Sequence, residues 1–157
     1  MYLNYEEYLT INPKNVIDEF DYNTYEMEAE MIVDKFTMSL DGVRKLQVAF
    51  PTDEHSKRAV QLCMAALISE ISTIDKLKES LLEKTANGEG VVSSKSSGSE
   101  SISYATNTMA PELKAATNYE TKEKLLYNLV RKYLMGLQDA NGVNLFYGGC
   151  YPCTVIQ

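Results

Sequence analysis

The sequence predicts an all-α fold: a small helical bundle with one long helix and a projecting Ser-rich β ribbon or loop. Three observations point there. Apolar residues recur at helical spacing through most of the chain. Capping residues and turn signals bracket those stretches. Between the last two helical patterns, GEGVVSSKSSGSESISYAT (Gly88 to Thr106) breaks the periodicity with seven serines. At 157 residues the chain suits one domain with a genuine core, read over 1–157. Its ribbon spans 88–107, and an extended C-terminal tail covers 138–157.

The elements follow in order. Asn4 is placed to cap a short helix from Tyr5 to Ile11, with Glu6 and Glu7 in its first turn, and Asn12-Pro13 breaks it. A second helix runs from Val16 or Asp21 to Thr37. Tyr25, Ala29, Ile32, Val33 and Phe36 form its apolar side; Glu26, Glu28, Glu30 and Asp34 beside it read as a solvated face that could also meet a basic partner. Asp41-Gly42 is a turn, and VRKLQVAF reads as a helical turn in preference to a strand. Thr52 or Asp53 opens the longest helix, to Thr85, with Val60, Cys63, Met64, Leu67, Ile71, Ile74, Leu77 and Leu81 along one stripe. About 32 residues at 1.5 Å each span almost 50 Å, more than a globule of this size needs. MAPELKAA reads as a loop or short turn, and the final helix runs from Asn118 to Leu137. Its apolar face is Leu125, Leu126, Leu129, Tyr133, Leu134 and Leu137.

The serine stretch resolves into two arms. Val91, Val92 and Ser93 lead into a turn at Ser96 to Ser99; Ile102 and Tyr104 then alternate with Ser101 and Ser103, the period of a strand. A lone two-stranded ribbon is marginal in water. Composition alone fits a flexible linker, whereas the alternation favours a ribbon completed by another subunit.

A net charge of −7 argues against general attraction to a nucleic-acid backbone, which rewards basic patches. No run approaches the ~20 apolar residues that span a bilayer, and MYLNYEEYLT lacks the pattern of a signal peptide. Three cysteines, one within a helical stripe, fit a reducing compartment better than a disulfide framework.

Catalytic constellations are missing from the sequence. His55, the single histidine, falls in the first turn of the long helix and reads as a solvated helix-end residue. The glycines match neither a phosphate-binding loop nor a dinucleotide turn. Cys150-Tyr-Pro-Cys153 is weighed as a redox pair or half a zinc site, but no helix follows it, and Cys63 and His55 both lie on the long helix. Metal shared between subunits stays open. No cofactor and no enzymatic activity are expected. Met27, Met31, Met38, Met64 and Met135 read as core or subunit contacts.

Taken in order, YEEYLTI, AEMIVDKFT, KRAVQLCMAALI, SESISYAT, VRKYLMGL and NLFYGGC resemble the head–tail connector proteins of tailed phages and prophages, the neck adaptors below the portal. The resemblance covers Tyr5 to about Cys150. It implies a non-enzymatic helical bundle forming a ring of about twelve subunits. The ring would contact the portal protein and the next neck, stopper or tail-completion protein. DNA would pass through its lumen without sequence-specific binding, and no membrane would be involved. The implied location is the virion's head–tail junction, with the bacterial host cytoplasm before assembly. Carried onto this chain, Val91, Val92, Ile102 and Tyr104 fall in the projecting ribbon, and Leu145, Phe146 and Tyr147 where the tail would reach the portal. The ending CYPCTVIQ and the long serine run depart from the family pattern. Assembly would also draw on apolar residues off the long helix's stripe (Leu62, Ala66, Ile68, Leu82), and on a ribbon and tail that gain order on association. The alternative is a small helical interaction or regulatory protein of bacterial or prophage origin; a zinc or thiol enzyme through Cys150 and Cys153 is the remoter one.

Overall fold

A computed structural model describes residues 1–86, 95–97, 100–102 and 111–152, with side chains over 1–83 and 111–152. The chain is mostly helical. Its elements are α1 (Tyr5–Ile11), α2 (Glu19–Thr37), α3 (Lys45–Val48), α4 (Glu54–Ala86), β1 (Lys95–Ser97), β2 (Glu100–Ile102), α5 (Pro111–Thr117) and α6 (Tyr119–Leu134). Two compact units divide it: Met1–Ile71 with Leu126–Gln157, and Ser72–Leu125.

The helix starts are chemically specified. Asn4 and Glu7 form a reciprocal capping box on α1: Glu7 N donates to Asn4 Oδ1 at 2.8 Å, and Asn4 N to Glu7 Oε2 at 3.1 Å. Asp18 accepts from Phe20 N at 2.9 Å and opens α2. Asp53 accepts from Ser56 N at 2.7 Å and opens α4, an interaction that holds its carboxyl below the ordinary range. Such caps contribute about 1 kcal/mol each.

In the first unit, α4 supplies the centre of the core. Val60, Cys63, Met64, Leu67, Ile68 and Ile71 are fully buried and pack with Leu3, Tyr8, Tyr22, Val33, Leu126, Val130, Leu134 and Leu145. Each such aliphatic side chain contributes roughly 1.5–3 kcal/mol of burial. Ile68, expected off the apolar stripe and available to a neighbour, is therefore core. Val130, absent from the expected face of α6, is buried one turn from Leu126 and Leu134.

Tyrosines act as ties between segments because their bodies are apolar and their ends polar. The Tyr5 and Tyr8 rings lie 5.1 and 5.3 Å from the ring of Tyr22. Their hydroxyls donate to the carbonyls of Ile17 at 2.8 Å and Asn15 at 3.0 Å, while the Tyr22 hydroxyl donates to Leu3 O at 2.7 Å. Burial keeps the Tyr22 hydroxyl protonated well above the usual range.

In the second unit, β1 and β2 pair antiparallel over three residues each, Lys95 with Ile102, Ser96 with Ser101 and Ser97 with Glu100. Ser96 and Ser97, expected in the turn, are β1 residues; 98–99 lie outside the described residues. PELKAAT forms helix α5 where a loop was expected: Pro111 occupies the first helical position, where its missing N–H costs nothing. Asn118 then separates α5 from α6, its backbone donating to Lys114 O at 2.9 Å and its side chain accepting from Thr121 N at 3.1 Å.

Candidate functional site

The expected contact residues separate. Val91, Val92 and Tyr104 lie outside the described residues, and Ile102 is placed only as a β2 backbone position paired with Lys95. Leu145 corrects the expectation of a portal-reaching side chain. It is fully buried in the core of its own chain. Phe146 is half-buried, with its ring 6.4 Å from Tyr127. Tyr147 is exposed, although a Cβ at Gly149 would collide with its ring.

Through Tyr151, the C-terminal segment is folded onto the body, not extended from it. Lys45, on α3, is fully buried and its Nζ donates to the carbonyls of Asn144, Leu145 and Tyr147 at 3.2, 2.9 and 2.6 Å. An ammonium has three donors, and here three carbonyls take them. Burial lowers the Lys45 pKa, opposed by the charges of Asp139 and Asp41. Asp139 Oδ1 accepts from the backbone N–H of Asn141 and Val143, both at 2.9 Å, and its Oδ2 accepts from the Tyr151 hydroxyl. Asp41 Oδ2 accepts from Tyr151 N at 3.1 Å, and Leu40 N donates to Gly149 O at 3.1 Å. Gly142, at φ +77, completes the turn from Asp139 to Val143.

On α2 the acidic residues correct a second expectation. Glu26 and Asp34 were read as solvated, yet they are 4% and 3% exposed. The buried row is Tyr22, Glu26, Ala29, Val33 and Thr37, a continuous helical stripe. Phasing the helix from Tyr22 would have found it; phasing from Tyr25 hid it. Asp34 Oδ1 accepts from the Tyr2 hydroxyl at 2.7 Å and Oδ2 from Gln47 Nε2 at 2.6 Å, with the Arg44 guanidinium 3.8 Å away. The Met1 ammonium lies 2.8 Å from Glu30 Oε2. Glu26 Oε1 is buried and finds no donor among the described residues. Burial raises the Glu26 carboxyl above its ordinary value, reinforced by neighbouring Glu30; burial also raises Asp34, against the hydrogen bonds from Tyr2 and Gln47.

A hollow of about 320 Å³ opens over these groups, with Glu26, Glu30 and Asp34 in its lining and Met27 and Met31 beside them. Met27 and Met31 belong to an exposed row at helical spacing with Phe20. Of the methionines read as core or contact, only Met64 is core; the other four stand in solvent. The sequence reading sets Glu26, Glu28, Glu30 and Asp34 beside the apolar stripe as an exposed face, whereas Glu26 and Asp34 are buried under the hollow.

Cys63 is a free thiol whose burial pushes its pKa up to about 12, so it is not a nucleophile. Cys150 is exposed, and Cys153 lies outside the described residues. His55 is exposed at the start of α4. Among the described residues no group of three or more His, Cys, Asp or Glu is placed to hold a metal, and no helix is long and apolar enough to cross a membrane. Comparison with protein-family models, curated proteins and solved structures finds no match.

Proposed function

We propose that this chain is a structural adaptor of a tailed-phage neck, a non-enzymatic subunit of a ring that joins the portal to the tail or stopper and lets DNA pass. The reading places it at the head–tail junction of the virion, and in the bacterial host cytoplasm before assembly. The observation that carries it is a core completed within one chain beside large apolar side chains left in solvent, among them Phe20, Met27, Met31 and Leu40. Exposed apolar patches mark contacts with another protein, and Phe20, Met27 and Met31 recur along one face of α2. The ordered segments that resemble neck adaptors supply the identity of that assembly, and the net charge of −7 suits a conduit that must not hold DNA. The ring would use two unlike faces per subunit, as closed head-to-tail assemblies do.

The ribbon belongs to the same reading as a projecting element completed by a neighbouring subunit. The alternative, a helical interaction or regulatory protein, shares the exposed apolar surface but needs no ring. Static light scattering with electron imaging, with and without candidate portal rings, separates the two. The adaptor reading expects an annular density on the portal or a ring mass for the free chain. A monomer under both conditions would refute it. Deleting Ser94 to Glu100 is expected to leave helical circular dichroism intact and abolish assembly; unfolding on deletion would assign the ribbon to the core instead.

A further inference from the structure

We infer that the outer face of α2 is the docking site for a basic amphipathic segment of a partner protein, whose arginine enters the hollow between Glu26, Glu30 and Asp34 while its apolar side chains lie on Met27 and Met31.

Met1, Arg44 and Gln47 share the lining of the hollow with the acidic residues, yet one oxygen there is left without a donor among the described residues. Glu26 is 4% exposed and lines the cavity beside Glu30, the neighbour that raises its carboxyl further, and its buried Oε1 finds no hydrogen-bond donor among the described residues. A buried acceptor left without a donor is unfavourable, so a ligand that supplies the donor recovers that free energy on binding. The cations already present leave the need in place: Arg44 is more than half exposed and 3.8 Å from Asp34, and the Met1 ammonium is engaged by Glu30.

The occupant follows from the chemistry. A guanidinium carries five N–H donors in a fixed fork and is weakly hydrated, so it suits a buried carboxylate pair better than an ammonium does. At about 320 Å³ the cavity is at the lower end for ligand pockets and takes one side chain, not a cofactor. The flanking methionines are flexible, polarisable contact surfaces. Phe20 extends the same apolar row along the helix, at the anchor spacing a partner helix reads. A second copy fits this face poorly, since the carboxylates call for a basic segment and no run of Lys and Arg marks one in this chain. The inference stands on this face alone and does not depend on ring formation.

The probe is a fluorescein-labelled helical peptide with leucines at i, i+4 and i+7 and a single arginine between them, titrated with the whole chain by anisotropy. A copy with citrulline in place of arginine keeps the shape and removes the charge. The arginine peptide is expected to bind about tenfold more tightly than the citrulline peptide. Glu26→Gln is expected to erase that preference. Met31→Lys, at a position 69% exposed and so without core contacts to lose, is expected to weaken binding at least about tenfold, because its own ammonium fills the hollow. Circular dichroism and urea midpoints establish that both variants are folded. Equal binding of the two peptides, no binding of either, or an unchanged preference in Glu26→Gln overturns the inference. So does wild-type self-association, seen by sedimentation, that Met31→Lys abolishes, which would assign the face to a second copy.

Discussion

Lys45 and Glu26 are both buried ionisable residues, and they are finished differently. Every donor of the Lys45 ammonium meets a carbonyl of the C-terminal segment, 99 to 102 positions away in sequence. Glu26 has one oxygen with no donor among the described residues, beneath a cavity open to solvent. A satisfied buried charge fixes one arrangement of the chain, whereas an unsatisfied one is a place where the chain waits for something else. The first is architecture. The second is where function should be sought.

Removing Lys45 should do the most damage. Lys45→Met keeps the aliphatic stem but takes the ammonium from the carbonyls of Leu145 and Tyr147 and one of two donors from Asn144 O, and a loss of about 4 kcal/mol is expected in urea unfolding. The amides of Leu145 and Tyr147, which donate to Leu137 O and Asn144 O, should then lose hydrogen-exchange protection. Leu145→Ala comes next, at about 3 kcal/mol, because the side chain is fully enclosed by its own core. A loss under 1 kcal/mol would return Leu145 to the role of a partner contact. Tyr151→Phe removes the hydroxyl that joins Asp139 to Asn141 and should cost about 1–2 kcal/mol. On the other side of the comparison, Glu26→Gln is expected to leave stability at neutral pH unchanged or slightly higher, since it removes a charge that burial disfavours.

How much of this was legible in the sequence depends on how local its cause is. The bounds of α1 follow from Asn4 and Glu7, three residues apart, and were readable. The stripe of α4 was readable because one helix carries its own periodicity. PELKAAT, read within a loop or short turn, is a helix of seven residues opened by Pro111, too short to carry a full apolar period. The tail was misread for a different reason. Its glycines signal turns, but the lysine that gathers its carbonyls lies on α3, and nothing in QDANGVNLFYGGC announces a donor from so far away. Glu26 was misread because charge was treated as proof of exposure, while its spacing from Tyr22 and Ala29 placed it on the buried row.

The most direct test of this contrast is the unfolding free energy of the wild type and Glu26→Gln measured from pH 4.5 to 8. A carboxyl whose pKa is raised on folding stabilises the native state while protonated, fully so below its ordinary value of 4.5, and that stability is lost as pH rises through the folded pKa. Asp34 acts in the same direction from 3.8 upward, so it adds slope to both proteins. Asp41 and Asp53, held low by hydrogen bonds from Ser39 and Ser56, act below 3.8 and leave this range clear. The wild type should therefore lose more stability across the range than the glutamine variant. Superimposable curves would mean that Glu26 is already fully partnered, and that the hollow on α2 is not an unfilled site.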